Sequence, residues 1–455
     1  MILKTMLAGQ VYAFKNLADV LARANDEKSG DVLLGRGARS VTERTAAKIV
    51  LANLKLADFY ENPVLPPEKD AVSRALKEDL NQGVYGRIKN WTIGELRDWL
   101  LSHENSGQDI MRLSRGLEAE AVAGVAKLMT VMDLVYAASK INVTSTCATT
   151  IGLPGTLSFR CQPNHTADDL KAILASLCEG LSYGSGDAVL GVNPVEDDAD
   201  NTRAILDMLW EFMIKWNIPT QNCVLAHITT QMEAVRKGAA ACCLFQSIAG
   251  TEEANLGFGI TTALLSEAYD LIHQLGQAPG PNLLYFETGQ GSEQSIGADC
   301  GLDLMTLEAR CYGYARIFKP FMVNNVSGFI GPETLYDGRQ IIRASLEDHF
   351  MGKLMGLPMG MAPCYTNHTK INQDDQEMAT LLLGLAGANY YMGVPMGDDI
   401  MLAYQDTSYH DDATLRELLG RTPAPEFFEW LKKMELMDEK GRLTPKAGDP
   451  SVFYI

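Results

Sequence analysis

The sequence contains no apolar run near the roughly 20 residues needed to cross a bilayer, and its opening, MILKTMLAGQVYAFKNLADV, has no continuous apolar signal core. Both features argue against a membrane protein and for a chain that starts directly in folded structure. Positive charge is also scarce. Lys and Arg total 39 against 57 Asp and Glu, a formal net charge of −18. So acidic a chain does not repay the counterions of a phosphate backbone, which excludes nucleic acid as the expected partner. The nine cysteines are odd in number and include no C-x-x-C, so neither a disulfide framework nor a zinc site is expected. Several lie inside strand patterns and read as reduced, mostly buried thiols of a cytoplasmic protein. No H-E-x-x-H or similar ligand spacing occurs. With 46% hydrophobic and 21% charged residues, the chain has the composition of a soluble globular protein with a sizeable core.

What is present is a rhythm. Eight short apolar runs recur from about residue 156 to residue 392: TLSFRC, DAVLGVN, CVLAHI, CCLFQSI, NLLYFE, FMVNNV, MGMAPCY and NYYMGV. Most are separated by stretches with apolar residues at three- and four-residue spacing, such as TRAILDMLWEFMIKW and TLEARCYGYARI. This alternation predicts an α/β fold, a closed (β/α)8 TIM barrel. At 455 residues the chain exceeds the roughly 250 of a barrel alone. The expected organisation is an N-terminal helical region over 1–115, the barrel with the active site over 116–410, and a short C-terminal helical extension over 411–455. Ser40 with Glu43, and Thr92 with Glu95, have the spacing of capping boxes. A long helical run is expected over roughly 118–141, and EFFEWLKKMEL reads as a helix after Pro423 and Pro425.

In such a barrel the chemistry sits where the strands finish, here at Arg160, Gln162, Asn193, Gln246 and Glu287. Arg160 and Gln162 are two apart, so their side chains face one way. A guanidinium in a barrel mouth is expensive without a partner, and Glu287 is the natural one. A structural ion pair and a ligand-binding pair stay equally open at this point. Asn193 precedes Pro194 and by itself is as readily a turn former. The loop Thr288–Ser295 carries Gly289 and Gly291, which suit either close approach to a large ligand or a flexible connection. It is neither a G-x-G-x-x-G nor a Walker loop. His227 reads as a structural histidine. Asp398 and Asp399 could hold a cation but read more readily as a solvated loop or helix cap, and Met392, Met396 and Met401 read as packing residues that would also suit a large apolar ligand.

Taken in order, CATTIGLPGT, GDAVLGVNPV, NIPTQNCVLAHITTQ, LYFETGQGS, GFIGPETLY, RQIIRASLEDHFMGKL and MGDDIMLAYQ closely resemble the large subunit of ethanolamine ammonia-lyase, essentially from end to end. The resemblance implies a barrel that works with adenosylcobalamin. The cofactor would be clasped between this large subunit and a separate small subunit, its corrin over the barrel mouth. Homolysis of the cobalt–carbon bond would yield a radical that takes hydrogen from the carbinol carbon of ethanolamine, and acetaldehyde and ammonia would follow.

By that resemblance Arg160 and Glu287 carry the catalysis. Arg160, Asn193 and Glu287 hold the substrate hydroxyl, Gln162 and Glu287 reach the amine, and Pro194, Gln246, Ser295 and Met401 touch the cofactor. No D-x-H-x-x-G motif is present, in keeping with a family in which no protein histidine replaces the nucleotide base. A homo-oligomer of large subunits is implied, and the family link extends to a bacterial microcompartment, although no encapsulation peptide is recognisable. One departure matters. The family has an aspartate, which helps hold the substrate ammonium, where this chain has Ala362. Two readings follow: a preference for N-substituted or larger amino alcohols with weak ethanolamine binding, or replacement of the lost group by a nearby carboxylate or water. Outside the lyase reading stand a cobalamin-independent barrel lyase or aldolase and a non-catalytic barrel scaffold. No strand run ends on a lysine, which counts against a Schiff base.

Overall fold

The computed structural model describes residues 1–454. Eight parallel strands form its centre: β1 (Ser158–Cys161), β2 (Val189–Val192), β3 (Asn222–Val224), β4 (Leu244–Ser247), β5 (Leu284–Thr288), β6 (Met322–Gly328), β7 (Met359–Tyr365) and β8 (Tyr390–Gly393). Each falls on one of the eight apolar runs. They are buried on both faces, which is why they read as near-continuous apolar runs rather than as an alternation. The hydrogen-bonded order is β3-β2-β1-β8-β7-β6-β5-β4, every neighbour pair parallel.

The seam between β3 and β4 has no backbone ladder. Side chains bridge it: Asn222 accepts from the Cys242 N–H at 2.9 Å and donates to the Ala240 carbonyl at 2.8 Å. The sheet therefore wraps into a nearly closed barrel. Its interior is tightly filled. A Cβ added at Gly360 would collide with the Tyr390 ring, and Phe245 meets Tyr285 edge-on with ring centroids 5.3 Å apart.

Helices cover the outside. The sequential set is α1 (Leu170–Ser182), α2 (Ala199–Trp216), α3 (Ile228–Arg236), α4 (Thr262–Leu275), α5 (Leu304–Ile317), α6 (Gly338–Leu354), α7 (Gln373–Leu385) and α8 (Tyr409–Leu419). The C-terminal helix spans Pro425–Lys433, opened by a proline whose missing N–H costs nothing there. None of the helices is long and apolar enough to cross a membrane, among the described residues.

The N-terminal region is helical except for a hairpin, Lys4–Leu7 with Gln10–Ala13, which the helical reading of residues 1–115 did not include. Its turn needs positive φ at Ala8 (50°) and Gly9 (78°). The expected run over 118–141 divides into Ala119–Lys127 and Val131–Ser139, because Thr130 caps the second helix in a capping box with Asp133. At Thr92 the box forms as expected. At Ser40 it is half formed: the hydroxyl accepts from Glu43 N–H, but the Glu43 carboxylate takes the N–H of Arg39 instead.

Buried ion pairs fasten this region to the barrel. Lys127 meets Asp303 at 2.7 Å, Lys28 meets Glu347 at 2.7 Å, and Arg310 meets Asp70 at 2.8 Å.

Candidate active site

One connected set of polar side chains crosses the barrel mouth at the strand ends. Arg160, on β1, is fully buried. Its Nη1 donates to the Tyr285 hydroxyl at 2.8 Å and to Met392 Sδ at 3.2 Å. Its Nη2 donates to Asn193 Oδ1 at 2.7 Å and to the Gly191 carbonyl at 3.2 Å. Gly191 makes that crossing feasible, since a Cβ there would stand 2.6 Å from Arg160 Nε.

Glu287 lies 3.8 Å from Arg160 Nη1 and keeps 15% of its side chain exposed. Its Oε1 accepts from the Tyr285 hydroxyl at 3.2 Å and from the Asn324 amide at 2.8 Å. Burial alone would loosen the proton of Arg160. The oxygens of Tyr285, Glu287 and Tyr404 outweigh it and hold the guanidinium above its ordinary value, so it stays a fixed cation.

Gln162 serves the other half of the mouth. Its amide donates to Asp399 Oδ2 at 2.5 Å and to the Tyr404 hydroxyl at 2.9 Å. Asn164 joins the halves: it donates to Asp399 Oδ2 at 2.8 Å and Asn193 Oδ1 at 3.4 Å, and accepts from the Asn193 N–H at 2.8 Å. Three buried atoms of this network, Gln162 Oε1, Asn324 Oδ1 and Arg160 Nε, have no protein partner. Bare buried acceptors beside a carboxylate and a fixed cation suit a small ligand that carries a cationic N–H donor and a hydroxyl.

Of the remaining predicted positions, Ala362 lies on β7 in a small apolar cluster with Cys364, Met392 and Tyr404. Pro194 is half-buried just beyond β2. Ser295 is exposed at the end of the short helix Ser292–Ser295, its hydroxyl donating to the Ser292 carbonyl at 2.8 Å. Met401 is half-buried in the loop after β8, its N–H donating to Asp399 Oδ1 at 3.0 Å.

Gln246 does not face the barrel interior. Its register partner is Phe286, and its side-chain Oε1 accepts from Ile228 N–H at the start of α3 at 3.0 Å, so its side chain points to the helix layer. Ser247, paired with Glu287, takes the inward position. The period of two made that swap readable in the sequence.

The other singled-out positions divide between agreement and difference. The Thr288–Ser295 loop is pinned: Gln290 is buried and donates to Asp348 at 2.7 Å, and Glu293 accepts from the Gly250 N–H at 2.7 Å. Its glycines answer to the protein, for a Cβ at Gly289 would lie 2.6 Å from the Val326 carbonyl. Asp399 is buried rather than solvated, Met392 packs in the mouth, and Met396 stands 87% exposed rather than packed. His227 is structural, capping α3 and contacting the Phe258 carbonyl at 2.9 Å. Eight of the nine free cysteines are buried and Cys300 is exposed. No cluster of three His, Cys, Asp or Glu able to hold a metal exists among the described residues.

Sequence reasoning missed Tyr285, Asn324, Tyr404 and Asn164. Tyr285 lies two residues before Glu287 and shares its face, a detectable signal. Tyr404 sits in a loop with no such pattern.

Residues 12–446 match the family described as ethanolamine ammonia lyase large subunit (EutB). Two curated relatives, the ethanolamine ammonia-lyase large subunits of Salmonella typhimurium strain LT2 and Escherichia coli strain K12, are each 53% identical over 452 residues. The alignment covers 99% of this chain and 100% of each relative. Among solved structures, an HMG-CoA lyase from Acinetobacter baumannii is similar over 64% of this chain and 94% of its own, at 13% identity and a TM-score of 0.35. Fold and relatives together define a barrel enzyme of the carbon–nitrogen lyase class. The chain belongs to the ethanolamine ammonia-lyase large-subunit family. A large subunit implies a small one as its partner.

Proposed function

We propose that the chain is the substrate-binding large subunit of an adenosylcobalamin-dependent lyase that deaminates ethanolamine or a related vicinal amino alcohol to an aldehyde and ammonia. The observation that carries this reading is the convergence of Arg160, Asn193, Tyr285 and Glu287 beside the unpartnered acceptors Gln162 Oε1 and Asn324 Oδ1.

The rim fits a broad, largely neutral ligand laid over the mouth. Pro194, Ser295 and Met401, on three different strand-end loops, stand half-buried or exposed around it, and none brings a charge. Gln246, bonded to Ile228 N–H at the start of α3, and the inward Ser247 of β4 belong to the same end of the barrel. Adenosylcobalamin, when bound, supplies the carbon radical that removes a substrate hydrogen.

The chain's own residues do the rest. Arg160 and Asn193 fix the hydroxyl oxygen, and Glu287 can accept either the hydroxyl proton or an ammonium N–H. The bare carbonyl oxygens of Gln162 and Asn324 are further acceptors within the mouth for the ligand's N–H and O–H groups. Tyr285 holds Arg160 and Glu287 in register, so no side chain must reorganise as charge moves between oxygen and nitrogen. The buried walls keep water from the reacting carbon.

The small subunit completes the cofactor site, large subunits associate with one another, and the assembly works in the cytoplasm or in a bacterial microcompartment. A second reading, preference for an N-substituted or larger amino alcohol, draws on the apolar lining beside Ala362. The test is to combine the chain with its small subunit and adenosylcobalamin, then add each amino alcohol. Ammonia release with a cobalt(II) and organic radical signal supports the proposal. A protein that retains no corrin refutes it.

A further inference from the structure

Besides Glu287 and Asp399, a third carboxylate, Asp406, lies at the barrel mouth. Asp406 is 4% exposed. It follows the two-residue strand Tyr404–Gln405, which pairs with β7 through Gln405 and Tyr365. Gln405 turns away from the mouth and donates to Asp398 at 3.0 Å, on the exposed side. Tyr404 turns inward, accepts from Gln162 and packs on Ala362. Residues two apart on an extended segment share a face, so Asp406 lies on the side of Tyr404. Its position is fixed by its own N–H on the Gly397 carbonyl at 3.1 Å, and by the hydroxyl of Thr407 on the Met392 carbonyl. Asp406 Oδ1 accepts from the Thr407 N–H at 2.8 Å, while Oδ2 has no partner.

A buried carboxylate oxygen without a donor is costly, and the mouth shows where a donor belongs. Glu287 already shares its charge among Arg160, Tyr285 and Asn324. An ammonium bound there alone would be poorly neutralised. The neighbouring wall of β7 offers only the Ala362 methyl and the Cys364 thiol. We propose that Asp406 is the carboxylate that grips the cationic nitrogen of the substrate in this chain, facing Glu287 across the mouth and setting specificity for a primary ammonium group. This rests on the amino-alcohol lyase reading above.

A linked proton gives the inference its own readout. Burial raises the Asp406 carboxyl well above its ordinary range. The Thr407 N–H and Arg160 oppose that, and Asp399 and Glu287 reinforce it. Cys364 on β7, Tyr404 on its own segment and Asp412 on α8 also feel its charge. In the empty mouth the carboxyl therefore keeps its proton, and an arriving ammonium expels it.

The test uses the assembled large and small subunits. With hydroxocobalamin replacing adenosylcobalamin to prevent turnover, calorimetry of ethanolamine binding in buffers of different ionisation heat counts the protons released. The wild type should release close to one proton over the pH range in which the empty mouth keeps the Asp406 carboxyl protonated, and Asp406→Asn none. With adenosylcobalamin, Asp406→Asn should raise KM for ethanolamine about 10- to 100-fold, the value of one charge-assisted hydrogen bond, with kcat changed far less. Adding Ala362→Asp to that variant should recover most of the loss.

No proton release by the wild type overturns the inference and needs no variant that folds. So does a KM within threefold of wild type in Asp406→Asn, or a wild-type preference for N-methylethanolamine that this variant leaves unchanged. If the wild type releases no ammonia from any amino alcohol, the lyase reading itself has failed. Ammonia release with an indifferent Asp406→Asn sinks the Asp406 inference alone.

Discussion

Arg160→Lys keeps the positive charge in the mouth and removes the fork. The two guanidinium prongs serve separate partners: Nη1 the Tyr285 hydroxyl at 2.8 Å, Nη2 Asn193 at 2.7 Å and the Gly191 carbonyl at 3.2 Å. A lysine brings one nitrogen, which can satisfy one side only. The abandoned side then holds a buried acceptor without a donor, at about 1–3 kcal/mol. A decade in rate is about 1.4 kcal/mol, so kcat/KM should fall about 10- to 100-fold. Arg160→Ala should fall much further, because it leaves the Glu287 charge without its cation, a loss of about 3–5 kcal/mol when such a pair is fully buried. The assay is ammonia release by the assembled enzyme over a range of ethanolamine concentrations, with thermal unfolding of each variant as the folding control. The reasoning is refuted if lysine works within threefold of arginine, or if lysine is as inactive as alanine. The first outcome would mean that the fork is irrelevant, the second that the charge is.

Three further outcomes are expected. Gly191→Ala places a methyl 2.6 Å from Arg160 Nε and should lower kcat/KM about tenfold by tilting the guanidinium off Asn193, with a smaller change in thermal midpoint; unaltered kinetics would show that the strand yields instead. Lys127→Met leaves the fully buried Asp303 beside Asp31 without its cation and should destabilise the fold by about 3–5 kcal/mol in urea denaturation. Asp348 is raised to about 8, first by burial and then by Glu347, against the amides of Gln290 and Asn325. The folded chain thus holds a proton that the unfolded chain releases above its ordinary carboxylate range, so this stability is full in acid and declines as pH rises toward 8. Asp348→Asn should flatten that decline in denaturation midpoints measured from pH 5 to 8; an unchanged slope would assign it elsewhere.

Much of this molecule was legible in one dimension. The eight runs sit on the eight barrel strands because both faces of a parallel strand are buried, and that burial writes an apolar run into the sequence. Arg160 and Glu287 stood out as charges at the ends of such runs, and the folded chain brings them within 3.8 Å. The same alternation assigns Ser247, not Gln246, to the mouth, and Tyr285 to the face of Glu287. Local periodicity encodes the direction of a side chain, and a charge in an apolar run announces that something must meet it.

Tertiary structure alone decided which loop residues meet. Gln162 and Tyr404 are 242 residues apart and 2.9 Å distant, and no pattern around Tyr404, Asp399 or Asp406 separates them from a solvated loop. They are buried because the barrel closes and returns the chain after β8 beside β1. The docking of the N-terminal helices is of the same kind, with Lys127 reaching Asp303 across 176 residues. Periodic patterns report on neighbours a few residues away. Contacts between distant segments depend on the closure of the whole sheet, which no single segment carries.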